Sequence, residues 1–173
     1  MNAIGIMKKI KYLILCLLGL SLGLTSCNHK SETLYHSLPI EKEYEPMEFV
    51  FYRNEISEEE LNEMPNLKLV INSQEDFPDE NLMELKDIKE SDIDFQKYTL
   101  LLVYSKVPGV VGGYTYSYAK DFENDTIIFS ITYRLDQDLR DKTEKENLFT
   151  YCRSAILVSK IPENTEVEFR LSM

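Results

Sequence analysis

The sequence predicts a mainly β protein: an antiparallel β-sandwich or flattened barrel of about seven strands, with one or two short helices near the start. Two observations carry this. From Tyr98 the chain is strand-like almost to its end, and from Tyr114 on short runs alternate apolar and polar side chains with a period of two, the spacing that turns one face of a strand inward. Turn-forming residues separate these runs at short intervals, the pattern of strands joined by tight connections.

Taken in order, residues 48–53 hold Phe49, Val50, Phe51 and Tyr52 and read as a first strand. Ser57, with Glu60 three residues on, has the form of a capping box and predicts a short helix ending by Pro65. Residues 67–71 are a second strand candidate, and Ser73 with Asp76 a capped helical turn. Residues 98–104 are apolar at nearly every position, which suits a central strand covered on both faces. A loop rich in turn residues follows, from Pro108 and Gly109 through Val110 and Val111 to Gly112 and Gly113. Tyr114, Tyr116 and Tyr118 then alternate with Thr115, Ser117 and Ala119. Asn124 and Asp125 mark a turn, and Ile127, Phe129, Ile131 and Tyr133 form one face of the next strand. A charged connection over residues 136–147 leads to a strand at 149–158. After a turn at Pro162, Val167, Phe169 and Leu171 form the inward face of a last strand.

The first residues follow a different logic. Lys8, Lys9 and Lys11 precede an uncharged run over residues 12–24, and Thr25, Ser26 and Cys27 close it. A positive start, an apolar middle and small residues at a cleavage point make an export signal. With cysteine at that point it resembles a bacterial lipoprotein signal, which implies acylation of Cys27 and a tether to the membrane. A run of about 13 residues is short against the ~20 a spanning helix needs. Met7 serves as a start as well as Met1. The expected organisation is a signal peptide at 1–26, a flexible tether at 27–46 containing Pro39 and Pro46, and a single mostly-β domain at 47–173. The expected location is the bacterial cell envelope, lipid-anchored at the outer membrane, on either its periplasmic or its surface face.

The chain carries 30 acidic against 19 basic residues, a net charge of −11. Loss of Lys8, Lys9 and Lys11 with the signal leaves 16 basic residues and a charge of about −14. This balance argues against nucleic acid and anionic lipid surfaces as partners, and favours solubility, cationic partners or divalent cations. Once Cys16 leaves and Cys27 is acylated, only Cys152 remains, so no disulfide forms within the domain. In its strand it reads as a small buried hydrophobe rather than a nucleophile, because both histidines, His29 and His36, lie in the expected tether.

Asp94 and Phe95 leading into residues 98–104, the approach to Gly112, Gly113 and Tyr114, and the late run from Leu157 to Pro162 resemble the PrcB C-terminal domain family, whose name comes from the lipoprotein subunit of a surface protease complex. Where that family has a threonine-x-proline-tyrosine element, this chain reads Phe149, Thr150, Tyr151, Cys152. The resemblance implies a non-enzymatic accessory or binding domain, in some cases alongside a protease. The Gly112, Gly113, Tyr114 step is also similar to the glycine-tyrosine loop of chagasin-type cysteine-protease inhibitors.

Read physically, paired glycines allow a sharp turn or a hairpin with a bulge. An exposed loop at one end of a sandwich is also a place where partners bind. The candidate partner-binding residues are therefore Pro108, Gly109, Gly112, Gly113 and Tyr114. Tyr114, Tyr116 and Tyr118 read as the core face of a strand, with a sugar-stacking platform as the alternative. Asp136, Asp138 and Asp141 have calcium-loop spacing but lack the glycine and distal glutamate of an EF-hand; like Asp87, Glu90, Asp92 and Asp94, they read as a solvated charged segment. No metal or cofactor is expected. Thr126, after Asp125 and before Ile127, resembles the three-residue O-glycosylation acceptor of exported Bacteroidetes proteins. Lys30, Ser31 and Glu32 only faintly resemble the surface-export signals of that group. A small sandwich without tryptophan is a poor glycoside hydrolase, and no Ser-His-Asp set, Walker loop, dinucleotide fingerprint or zinc spacing is present. The sequence thus predicts a non-enzymatic, envelope-anchored, protein-binding lipoprotein. Its alternatives are a protease inhibitor acting through residues 108–114 and a carbohydrate-binding surface lipoprotein.

Overall fold

The computed structural model describes residues 35–64, 66–78, 85, 87–139, 143 and 147–173. The expected signal peptide, both candidate starts, Cys27, His29 and Lys30 to Glu32 lie outside the described residues. The described residues belong to one compact unit, Thr33–Met173.

In chain order the strands are β1 (Tyr35–Ser37), β2 (Ile40–Glu43), β3 (Met47–Tyr52), β4 (Lys68–Ile71), β5 (Tyr98–Pro108), β6 (Val111–Asp121), β7 (Thr126–Leu135), β8 (Leu148–Ser159) and β9 (Val167–Ser172). One helix, α1 (Glu58–Glu63), follows β3. Two sheets form. The first has the order β1-β6-β7-β9; the second has the order β2-β8-β5-β4, with β3 also paired to β8. Pairing is antiparallel except between β7 and β9, which run parallel. The architecture is an open sandwich, which decides between the two forms expected: the sheets do not close into a barrel.

All seven expected strands are present. The two additional ones, β1 and β2, lie inside the segment expected to be a flexible tether, so the folded part begins before residue 47. Their sequences, Tyr-His-Ser and Ile-Glu-Lys-Glu, bury little, and β1 is exposed throughout. Backbone pairing to β6 and β8 holds them, with Leu38 and Ile40 packing against the core as the apolar contribution. His36 accordingly sits in β1 with its ring edge-on to Phe122. The capping box forms as the sequence predicts: Glu60 N–H donates to Ser57 Oγ at 3.1 Å and Ser57 N–H to Glu60 Oε2 at 2.9 Å. Ser73 and Asp76 make the same reciprocal pair around a turn that does not continue as a helix. Lys106 Nζ on β5 donates to the Leu61 carbonyl of α1.

The sandwich centre lies between the sheets, where Leu101, Val103 and Val107 of β5 and Cys152, Ile156 and Val158 of β8 meet Phe129, Ile131 and Tyr118. The alternate residues Leu100, Leu102, Tyr104, Ala155 and Leu157 form a second core with Tyr44, Leu85, Ile88 and Ile93. Sheet two is therefore buried on both faces, and its central strands read as near-continuous apolar runs for that reason.

Arg153 shows how the second cover is held. Its side chain is 2% exposed, and its guanidinium grips Asp87 with Nη1–Oδ1 at 2.5 Å and Nη2–Oδ2 at 2.7 Å while also donating to the Glu45 carbonyl at 3.2 Å. Hydrogen bonding and charge from Arg153 hold the Asp87 carboxyl below the usual carboxylate range. Asp87→Asn leaves this buried cation without its counter-charge. The expected loss at pH 7 is on the order of 2 kcal/mol, less than for a fully enclosed pair because water reaches Asp87. Since the folded pKa is the lower one, the pair's contribution is complete above the unfolded value, about pH 4, and fades as pH falls through the folded value. Urea titrations of native and variant chains should therefore differ at neutral pH and converge in acid; an equal difference at pH 7 and pH 2 contradicts this account.

Candidate functional site at an open strand edge

The expected loop at 108–113 is much shorter than the sequence suggests. β5 continues through Pro108 and β6 begins at Val111, so only Gly109 and Val110 turn the chain. Gly109 has φ of +101°, which favours glycine, and it is clamped onto β8: its N–H donates to the Leu148 carbonyl at 2.9 Å and its own carbonyl accepts from Thr150 Oγ1 at 2.7 Å. Gly112 and Gly113 lie within β6 at a break in register against β7, the mark of a bulge. A Cβ on Gly112 would stand 3.2 Å from Asp136 Cα, so close backbone approach explains that glycine. Pro108 and Gly112 are exposed, Gly113 and Tyr114 half-buried and Gly109 buried. The segment is a hairpin turn with a bulge, not a projecting loop.

What stands open is the edge of β6. β1 pairs only with Ala119, Lys120 and Asp121, and Leu38 N–H adds one bond to the Tyr118 carbonyl at 2.8 Å. At Pro39 the chain then crosses to the other sheet, where β2 and β3 together follow β8 from Val158 to Leu148. The second sheet's edge is thus lined along its length, while residues 112–117 of β6, with β7 on one side, have no strand on the other among the described residues. Because the Tyr118 carbonyl faces this side, strand alternation directs the backbone groups of Tyr116 and Tyr114 the same way.

Opposite this vacancy lies the uncovered inner face of β3. Directly paired residues share a face, so Glu48 (opposite Cys152) and Glu43 (opposite Ile156) both turn toward the first sheet. Val50, opposite Thr150, shares that orientation and remains 47% exposed. Between β2 and β3 the edge breaks at Tyr44, Glu45 and Pro46, where Tyr44 N–H bonds the Ala155 carbonyl, next to Ser154. Ser154 is fully buried, and neither its Oγ nor the buried Tyr116 hydroxyl has a hydrogen-bond partner of normal geometry among the described residues. Beside them Ser105 Oγ and the Tyr133 hydroxyl pair at 2.8 Å. The Tyr114 and Tyr116 rings stand 5.2 Å apart at the mouth.

The electrostatics of this notch are negative. Burial raises the Tyr114 hydroxyl pKa, and Glu48, Glu43 and Glu45 raise it further. Burial raises the Glu48 carboxyl as well. The Cys152 thiol is pushed up to about 12 by burial and then by Glu48, which leaves it protonated at neutral pH and a structural residue, as its strand context predicts. The tyrosine stripe is a core face, as expected: Tyr118 is buried, and Tyr114 and Tyr116 pack half-buried against the central cluster.

Thr126 differs from expectation. It opens β7 opposite Asp121, is 7% exposed, and its hydroxyl donates to the Asn124 carbonyl at 3.2 Å, so the turn exposes Asn124 and not the threonine. Asp136 closes its own turn by accepting from the Asp138 and Leu139 N–H groups, while Asp141 lies outside the described residues. Asp94 pairs with Lys97 at 2.8 Å. Among the described residues no group of three or more histidine, cysteine or acidic side chains is placed to hold a metal, and no helix is long and apolar enough to cross a membrane.

Glu43, Glu48, Ser105 and Ser154 were not legible as site residues, although a serine inside the apolar run 152–158 and a glutamate alternating with Phe49 are signals in retrospect. Ser154→Ala removes a buried hydroxyl that lies near the Tyr116 and Tyr133 hydroxyls without a hydrogen bond of normal geometry to either, so it is expected to raise stability by about 1 kcal/mol in denaturant titration; a loss of that size instead means the hydroxyl is satisfied in solution. No protein-family model, curated protein or solved structure matches this chain.

Proposed function

We propose that this chain is an envelope lipoprotein, anchored through an acylated Cys27, whose sandwich binds another protein and performs no chemistry. The observation that carries the binding role is the vacant strand position along residues 112–117 of β6, facing the bare inner side of β3. Unpaired strand edges are templates for another chain, and natural proteins cover or blunt them unless they are used. The position includes Gly112, Gly113 and Tyr114, which the sequence nominated as a loop; the contact is assigned here to the strand edge beside the turn. The resemblance to the PrcB C-terminal domain family supports an accessory role, with a protease among the partners to be considered. The run of residues 8–27 supports the anchor.

Val50→Arg tests the edge. Val50 is nearly half exposed, so the substitution spares the core while placing a long side chain where the partner would lie. Tagged full-length chain is captured from native envelopes, and the recovered partner is purified and rebound. Binding should be lost with the folded Val50→Arg variant; undiminished binding would remove the edge assignment. A Gly112 substitution is less decisive, because its Cβ meets the Asp136 backbone. For the anchor, labelled palmitate should enter the native chain and not Cys27→Ser; equal labelling of both refutes acylation at this residue.

A further inference from the structure

The protein-binding reading leaves open what kind of segment fills the vacancy, and the notch beside it is specific on that point. A strand laid along β6 at residues 112–117 would bond the outward backbone groups of Tyr114 and Tyr116 and cover Val50. Every second side chain of that strand would point into the space between the sheets. An apolar side chain there would meet Glu43 and Glu48, two inward-turned carboxylates at a mouth already crowded by Glu45. An ammonium or guanidinium removes that conflict: it pairs with the carboxylates and lies against the Tyr114 ring, whose face favours a cation.

Resting on that reading, we propose that the vacant position beside β6 receives an extended segment of a partner protein whose lysine or arginine turns inward past Tyr114 toward Glu43 and Glu48. The long apolar stem of such a residue lies against Val50 while its charged end reaches the carboxylates. The net charge of −11 makes the encounter with a basic segment favourable at long range as well. The nearest base on β7, Arg134, sits against Gly113 and follows the inward Tyr133, so it belongs to the opposite face and does not already fill the role.

The test uses the full-length chain in detergent and three labelled decapeptides followed by fluorescence anisotropy. One alternates threonine with lysine, one has glutamine for each lysine, and one has glutamate. The lysine peptide should bind about tenfold more tightly than its glutamine twin, the increment of one good charge-assisted bond, and the glutamate peptide should not bind. Glu43→Gln with Glu48→Gln should erase that preference. Glu58→Gln with Glu59→Gln on α1 changes net charge equally and should preserve it. Val50→Arg should abolish both lysine and glutamine binding, and free lysine amide should fail to displace the peptide.

Loss of the preference in the α1 variant reduces it to net charge and overturns the proposal, as does unchanged lysine-peptide binding to Val50→Arg. Displacement by lysine amide overturns the strand component. If no peptide binds while the envelope partner is still lost with Val50→Arg, the partner-binding reading stands and the basic-strand inference falls.

Discussion

Strand β8 is the constraint on which the rest of the fold depends. It pairs with β5 continuously from Ser159 to Phe149, and its other edge carries β2 and then β3. Both of its faces are buried, one against the first sheet and one against the segment that supplies Leu85, Ile88 and Ile93. With no face left for water, each polar side chain on it must find a partner or stand as a defect. Arg153 finds Asp87 and the Glu45 carbonyl; Thr150 clamps the Gly109 turn; Ser159, where exposure begins, donates to Glu41. Ser154 is the exception, and it lies where the edge strand is broken.

That coincidence follows from how the chain shares a few N-terminal residues between two sheets. Pro39 lacks an N–H and sits where the chain leaves β6, and Pro46 sits where β2 gives way to β3. A chain that served β6 along its whole length would leave β8 bare at its edge. This one serves β8 and leaves β6 partly bare. Inward carboxylates at such an edge also discourage a second copy from pairing there, because two sets of glutamates would meet. On the proposal made above, the groups that would repel a second copy are the ones that would accept a basic strand.

Much of this fold was legible because burial writes a period into the sequence. The alternation at 114–118 and 127–133, the two-sided apolar run at 98–104 and the capping box at Ser57 all report local rules that the tertiary structure obeys. What escaped is what periodicity does not encode. β1 and β2 are polar and short, held by backbone bonds to strands far along the chain, so their prolines read as those of a linker. In sequence Gly112 and Gly113 read as a turn or a hairpin with a bulge; the bulge forms, but it and the close approach to Asp136 lie inside a strand rather than in a loop. Thr126 follows a turn signal but is the first residue of a buried strand face. The tyrosines were correctly read as a core stripe. The vacancy beside them was not legible at all, because it depends on which strands are neighbours, and no local pattern states that.

The distance along the chain between β8 and its edge partners has a consequence for when the molecule becomes a folded object. Glu45 meets Arg153 across 108 positions and Glu41 meets Ser159 across 118. β2 and β3 precede β8 and have no strand partner until residues 148–159 arrive, while β5 has only the four-residue β4 beside it. Closing loops of that length before any reward makes the topology slow to form. A polypeptide emerging from its first residue onward can pair β4 with β5 and β6 with β7, but it completes neither core until residues 148–159 are available. Were the chain exported through a narrow channel before folding, as the proposed anchor implies, such lateness would keep it pliable during passage.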